Sequence, residues 1–511
     1  MRKLLHILLA ATLYMLTLAL PTARAQDQQN QEPPAQNQQT QTPQGQQNQE
    51  QSAAPIPAYH SPLASEAGNE TDEDETQPLT PDTRALAGAQ NLSLGNPAND
   101  HSYWRPHIDV SGSVDSNPQE TPGGSGSSWS AWTSVSGGVD VHRTSGDSDM
   151  TLNYLGGGTI SSDGSTSNGI VQDLGFVDRF TLRRWTLSVA DQLSYLPESS
   201  FGFGGLGGIG LSTGGSVGLG TPFGLPGQTI LTGIGQRLAN AFDTEADVSL
   251  TPRTSLTFVG GYSLLHYFDS DLLNSTGASF QGGYNYLLTR KDTIAVFYNY
   301  TTFRYNNFNQ SIDDHTIQAS YARRVTGRLA FQIAAGPQIA LFRLPITTTS
   351  GSSGSGGESG SGTSTNSSTQ LYWSLNMNLQ YQLRRVGLGL SYYHGVSAGS
   401  GVLGGSVADV VSGSASRQMS RTFSSGVTAG YSRNNGLAID STTPTNQTYD
   451  YWFVGTSFSH PVGRTLGLTF SYQLQYQDSN GSFCVASTCG MSVIRHVISF
   501  GVGWHERPLL F

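Results

Sequence analysis

From Gln370 to Tyr393 apolar and polar residues alternate. Leu371, Trp373, Leu375, Met377, Leu379, Tyr381 and Leu383 share one parity, and Gln370, Tyr372, Ser374, Asn376, Asn378, Gln380 and Gln382 share the other. After Arg384 and Arg385 the alternation restarts, with Val386, Leu388, Leu390 and Tyr392 opposed to Gly387, Gly389, Ser391 and Tyr393. Side chains of a strand point to opposite faces with period two, so this predicts a β-hairpin with a two-residue turn. The polar face is uncharged over a run of about ten residues, the length that crosses a bilayer at a tilt. The stretch Thr465–Gln477 repeats the pattern, with Leu466, Leu468, Phe470, Tyr472, Leu474 and Tyr476 set against Thr, Gly, Ser and Gln. In water such an apolar stripe is an aggregation hazard, whereas lipid satisfies it. Closing the strands into a barrel removes the unpaired edges that hydrocarbon does not tolerate.

The rhythm runs from Tyr103 to the chain end, and two kinds of connection alternate along it. One kind is short and basic, with Arg183, Arg184, Arg253, Arg290, Arg328, Arg384, Arg385 and Arg464. The other is long and rich in Gly, Ser, Asn and Asp, as in Pro197–Gly235, Pro345–Thr369 and Ala398–Gly405. Short turns on one side and long loops on the other are the asymmetry of a transmembrane barrel. Nine long connections predict an all-β, antiparallel up-and-down barrel of about eighteen strands, with sixteen as the alternative. The first strand starts near residue 104 and the last near 492.

Composition sharpens this. Charged residues are 12% of the 511, glycines number 62, and lysine is nearly absent. Mean hydropathy is −0.28, which excludes a bundle of membrane helices. Met1-Arg2-Lys3, the apolar run Leu4–Leu20 and the small-residue site Ala23-Arg24-Ala25 predict a signal peptide over residues 1–25. Residues 26–100 are rich in Gln and Pro and then acidic, too poor in apolar groups to fold, which predicts a disordered periplasmic segment. Residues 101–511 carry the barrel. Without Arg2, Lys3 and Arg24 the chain has 23 basic against 36 acidic residues, a net charge of −13 that disfavours nucleic acid. Cys484 and Cys489 are the two cysteines of an exported chain, which predicts a disulfide stapling one surface loop.

The last strand alternates Ile498, Phe500, Val502 and Trp504, and the chain ends at Phe511. With the dyad rhythm, this makes the region from Tyr103 to Phe511 resemble the porin-like outer-membrane β-barrels of Gram-negative bacteria. The resemblance implies an outer-membrane location, lipid and the barrel-assembly machinery as partners, Phe511 as an assembly signal, and homo-oligomerisation as an open question. It also implies a third long loop folded into the bore. That loop, Pro197–Gly235, is too apolar for a solvated one, and Phe201, Phe203, Leu206, Phe223 and Leu225 are its candidate constriction residues. Parity makes Ser374, Asn376, Asn378, Gln380, Gln473, Gln475, Asn299 and Thr301 candidates for the bore wall. Such neutral donors and acceptors suit small or neutral polar solutes. The leading expectation is therefore a passive channel. The alternatives are a closed structural or adhesive barrel and a pore for polymer export.

Sites for chemistry are scarce. Gly202–Gly207 matches G-x-G-x-x-G but lacks the strand and helix that would make it a dinucleotide site. Gly210–Gly214 and Gly395–Gly399 match G-x-S-x-G, around Ser212 and Ser397, within Gly/Ser-rich connections. Histidines are scattered singly, without metal-ligand spacing. No catalytic residues, cofactor or metal are expected. The basic turns are read as anchors at the inner leaflet, with a ring attracting anions as the alternative.

Overall fold

A computed structural model of the chain describes residues 102–117, 129–161, 169–198, 230, 234–268, 272–305, 310–348, 362–383, 385–398, 403–420, 422–437, 447–480, 492–506 and 509–510. The strands are β1 (Tyr103–Asp115), β2 (Ser130–Ser145), β3 (Ser148–Ser161), β4 (Gly169–Thr181), β5 (Trp185–Glu198) and β6 (Ile234–Thr251). There follow β7 (Thr254–Tyr267), β8 (Ser275–Leu287), β9 (Asp292–Tyr305), β10 (Gln310–Thr326), β11 (Leu329–Thr348) and β12 (Gly362–Gln382). The remainder are β13 (Val386–Ser397), β14 (Ser406–Gln418), β15 (Ser424–Gly436), β16 (Thr448–Val462), β17 (Leu466–Ser479), β18 (Val493–His505) and the two-residue β19 (Leu509–Leu510). Each of the eighteen long strands pairs antiparallel with its neighbour in sequence, and β1 pairs with β18 from His107↔His505 to Asp115↔Val497. The sheet is thus a closed eighteen-stranded barrel. β19 adds two pairs, Tyr103↔Leu510 and Trp104↔Leu509, beside the seam.

The two faces of each strand differ as the alternation predicts. On β9, Ile294, Val296 and Tyr298 are 42%, 58% and 41% exposed, while Ala295 and Phe297 between them are buried. Leu371 and Trp373 on β12, Leu388 and Leu390 on β13, and Phe470 on β17 are exposed in the same way. The exposed apolar set belongs to the convex outer surface, because the buried set includes residues that meet partners from distant strands through the mouth of the bore. Ile230, between β5 and β6, packs with Tyr449 of β16 and with Leu403.

The hairpin of β11 and β12 is longer than its alternation suggests. The Gly/Ser/Thr-rich stretch 345–369, read from the sequence as a loop, is partly strand, paired from Leu341↔Thr369 to Thr348↔Gly362. A hairpin that outruns the apolar band needs no apolar face, so period two is absent there. Short turns are built by threonine: Thr251, Thr289 and Thr326 each accept, through Oγ1, the N–H two residues on, at Arg253, Lys291 and Arg328. Such side-chain turns stand in for a backbone turn bond.

Gly336 on β11 marks the tightest approach in the wall. A Cβ there would lie 1.8 Å from the carbonyl oxygen of Ile317 on β10. The next residue, Pro337, has no N–H for the ladder, which allows the strands to close in. Gly336→Ala is expected to destabilise the barrel by about 1–3 kcal/mol through overpacking. Urea unfolding in lipid vesicles measures it; a variant as stable as the parent would show that the contact relaxes without cost.

Candidate channel lumen

The inner face of β9–β13 is mostly a field of neutral hydrogen-bonding groups, with Asp314 and Arg324 of β10 as its charged members. Gln318 Nε2 donates to Ser374 Oγ at 2.6 Å, and Gln338 accepts the Val396 N–H at 3.2 Å. Thr316 Oγ1 and Gln338 Nε2 both donate to Asp314 Oδ2, at 2.9 and 3.0 Å. Asn299 Nδ2 donates to Thr301 Oγ1, and Asn378 Nδ2 to Asn376 Oδ1, both at 3.2 Å. Register puts Gln380 in line with Ala330 and Gly389 on this face. Gln473 and Gln475 lie on β17, across the barrel; Gln475 is opposite Phe453 of β16 and Arg495 of β18 and is buried. All eight residues singled out for the wall therefore sit on the inner parity of their strands. The first six gather on β9 and β12, and the two glutamines stand apart.

The other side of the bore is charged. Arg105 on β1 donates through Nη2 to Asp140 Oδ2 of β2 at 2.9 Å, and His107 stands 3.7 Å from the same carboxylate. His142 Nε2 is 2.8 Å from Asp149 Oδ1. On β6, Asp243, Glu245 and Asp247 share a face with buried Arg237, and Thr257 of β7 donates to Asp247. At the seam, Asp115 of β1 accepts from Arg495 of β18, with Nε–Oδ2 at 2.7 Å and a second bond from Nη2. These charges were missed in the sequence. Acids on β5 and β6 fall on both parities, Asp191 outward and Asp243 inward, so alternation there does not single out a wall.

The mouth on the long-loop side is narrowed by apolar packing. Tyr305, Ile312, Ala340, Phe342, Val396 and Leu437 form one buried cluster at the loop ends of β9–β15. The connection from β13 to β14 enters it from both ends: Tyr305 Oη donates to Ala398 O at 2.9 Å, and Gln310 Nε2 donates to Gly404 O at 2.6 Å. Gly405 has φ +105°, and a Cβ there would lie 2.3 Å from Ile312 Cδ1, so this crossing requires glycine. The described ends of this connection, at Ala398 and Gly404, thus meet Tyr305 and Gln310 of the wall.

Outside, the loop ends of β12–β16 carry an aromatic and ionic belt. Trp373 stacks on His394 with centroids 3.9 Å apart, and His394 Nδ1 is 2.7 Å from Asp409 Oδ1. Tyr392 donates to Asp409 and Tyr431 to Asp450, each at 2.8 Å. Across the strands His394, Asp409, Arg433, Asp450 and Asp478 stand in one register row, which ends the apolar surface. Aromatic residues just below charge are what an interface with lipid headgroups selects. At the opposite rim, Arg183, Arg184, Arg253, Arg290, Arg328, Arg385 and Arg464 are exposed in or beside the short turns. There the Thr289 hydroxyl donates to Asp292 Oδ2 at 2.5 Å and the Tyr321 hydroxyl to Asp292 Oδ1 at 2.8 Å.

By fold this is a closed eighteen-stranded antiparallel β-barrel with an apolar outer surface. Among the described residues no helix is long and apolar enough to cross a membrane, and no cluster of His, Cys, Asp and Glu is suited to a metal ion. Ser397 pairs with Ser406 in the ladder, and their hydroxyls are 2.7 Å apart, without the strand–turn–helix elbow that its motif requires. Phe201, Phe203, Leu206, Phe223, Leu225, Ser212, Arg384, Cys484, Cys489 and Phe511 lie outside the described residues.

No family model and no curated protein matches the chain. Solved structures with a similar backbone include those of three proteins. Pseudomonas aeruginosa OprD has a TM-score of 0.35 at 8% identity, covering 80% of this chain and 96% of its own. Pseudomonas aeruginosa OpdQ has a TM-score of 0.37 at 10% identity, covering 80% and 98%. The ferric-catecholate import receptor Fiu of E. coli has a TM-score of 0.38 at 11% identity, covering 81% and 82%. At such values the likeness says nothing of a solute.

Proposed function

We propose that the chain is an outer-membrane channel that lets small polar solutes diffuse through a water-lined bore and performs no reaction. One observation carries this reading: a closed wall of eighteen strands is apolar outside and hydrogen-bonding inside. Hydrocarbon accepts such a wall only because closure pairs every backbone group, and a barrel of this strand number encloses an aqueous lumen. In this reading residues 26–100 lie on the periplasmic side, the exposed arginines anchor the short turns, and Phe511 serves assembly. The connection 197–235 narrows the bore together with the inward β13–β14 connection. The wall is suited to uncharged solutes along β9–β13 and to charged ones along β1–β6.

Planar bilayers containing the refolded protein are expected to show discrete conductance steps, and deletion of residues 201–229 to enlarge them. Insertion without steps would favour a second reading, a closed surface barrel. The specific observation behind that alternative is the apolar cluster around Ile312 and Phe342, which seals part of the mouth.

A further inference from the structure

Within the field of β9–β13 two charged side chains share the inner parity, Asp314 and, ten residues along β10 at the short-turn end, Arg324. Asp314 on β10 is 3% exposed. Its Oδ2 accepts from Thr316 and Gln338, whereas its Oδ1 is buried and accepts from no donor among the described residues. None of the described ion pairs involves it. Its titratable neighbours along the strand, Asp313 and His315, point the opposite way: Asp313 pairs with Arg343 at 2.8 Å, and His315 binds the Tyr298 hydroxyl at 2.7 Å. A buried carboxylate with half its acceptor capacity unused and no counter-charge is costly, and the cost is relieved either by a proton or by a cation from outside.

A second acceptor lies beside it. Asn299 Oδ1 is also buried without a donor. Asp314 stands opposite Thr301 and Thr316 opposite Asn299, so the two acceptors are one diagonal step apart on adjacent strands. The donors that could have satisfied them are engaged elsewhere: Asn299 Nδ2 on Thr301, and the Gln338 amide between Asp314 Oδ2 and the Val396 N–H. The pair lacks hydrogen-bond donors and carries one negative charge.

We propose that Asp314 and Asn299 form a subsite in the bore wall for a primary ammonium group. Such a group brings one positive charge and three N–H donors on a compact head, matching a carboxylate oxygen and an amide oxygen at diagonal positions of adjacent strands. A divalent cation fits worse. Ca²⁺ needs six or more oxygens and Mg²⁺ a strict octahedron, and one carboxylate among amides supplies neither. The subsite names a solute class for the channel proposed above, and it rests on that reading only in placing the wall against solute-bearing water.

The test is calorimetric titration of the refolded full-length barrel in detergent with n-butylammonium, which needs no conduction. Saturable heat is expected. Tetramethylammonium, which has the charge without N–H donors, should bind about tenfold more weakly, and Asp314→Asn should weaken n-butylammonium by about tenfold or more. The amide oxygen introduced by that substitution would still accept from Thr316 and Gln338, so far-UV circular dichroism should be unchanged. Should the variant nonetheless fail to refold, Asn299→Leu decides the matter, with a several-fold loss expected. Asp313→Asn, one residue away on the outer face, should bind as the parent does. Unaltered binding in Asp314→Asn, equal binding of both ammonium ions, or no saturable heat in the parent would overturn the subsite. Conductance without binding sinks the subsite alone, and binding without conductance sinks the channel alone.

Discussion

Asp115→Asn is expected to lower the stability of the barrel by about 3–5 kcal/mol, the cost of removing one member of a buried ion pair. The pair sits where a barrel is most vulnerable. β1 and β18 are the ends of the strand series, and their pairing is the only ladder formed between long strands remote in sequence among the described residues. The side chains of Asp115 and Arg495 are 0% and 3% exposed. Asp115 also accepts the N–H of Asn117, and the Ser113 and Ser499 hydroxyls lie 2.8 Å apart one inner position below. Asparagine keeps the bond from Asn117 but presents no charge to the buried guanidinium. Combining Asp115→Asn with Arg495→Gln should recover a large part of the loss, because a neutral pair avoids the uncompensated charge. Urea unfolding in vesicles, followed by tryptophan fluorescence, measures both. A single variant within about 0.5 kcal/mol of the parent would mean that the backbone ladder alone holds the seam.

How far the sequence reaches can be seen strand by strand. The lipid-facing period is enforced by solvent on one side and survives intact where a strand crosses the membrane. For that reason Leu371–Leu383 and Leu466–Tyr476 announced their strands, and the starts expected near 104 and 492 lie within a residue of Tyr103 and Val493. Where hydrocarbon no longer acts, the period fades. The extra length of β11 and β12 was hidden in Gly, Ser and Thr, whose alternation carries no hydropathy signal. The bore was harder still. Parity predicts that Asn376 and Asn378 face inward, but not that Asp314 shares their wall, since Asp313, Asp314 and His315 form a polar triplet with no apolar partner to set its phase. Contacts across the bore, such as Tyr305 with Ala398 and Ile230 with Tyr449, join residues far apart in sequence through no ladder at all.

The orientation of the wall has its own decisive test. Leu390 is 41% exposed on the outer face of β13 and pairs with Leu379 of β12; Gln380, the next residue of β12, faces the bore. In lipid vesicles Leu390→Arg is expected to destabilise the barrel by about 2–4 kcal/mol, the depth-dependent cost of a cation against hydrocarbon. Gln380→Arg places the same group in the water-lined bore and should cost under about 1 kcal/mol, as a polar exchange at a wetted site does. The contrast in lipid, more than either value, carries the argument. Were the exposed leucines bathed in water, arginine at position 390 would cost little and would improve solubility. Were they packed into a dry core between two sheets, both variants would be costly, since Gln380 borders the same interior. A large penalty at 390 with a small one at 380 is produced only by a wall with oil on one side and water on the other. Urea midpoints for the two variants in the same vesicles distinguish the three cases, and equal shifts would refute a transmembrane barrel.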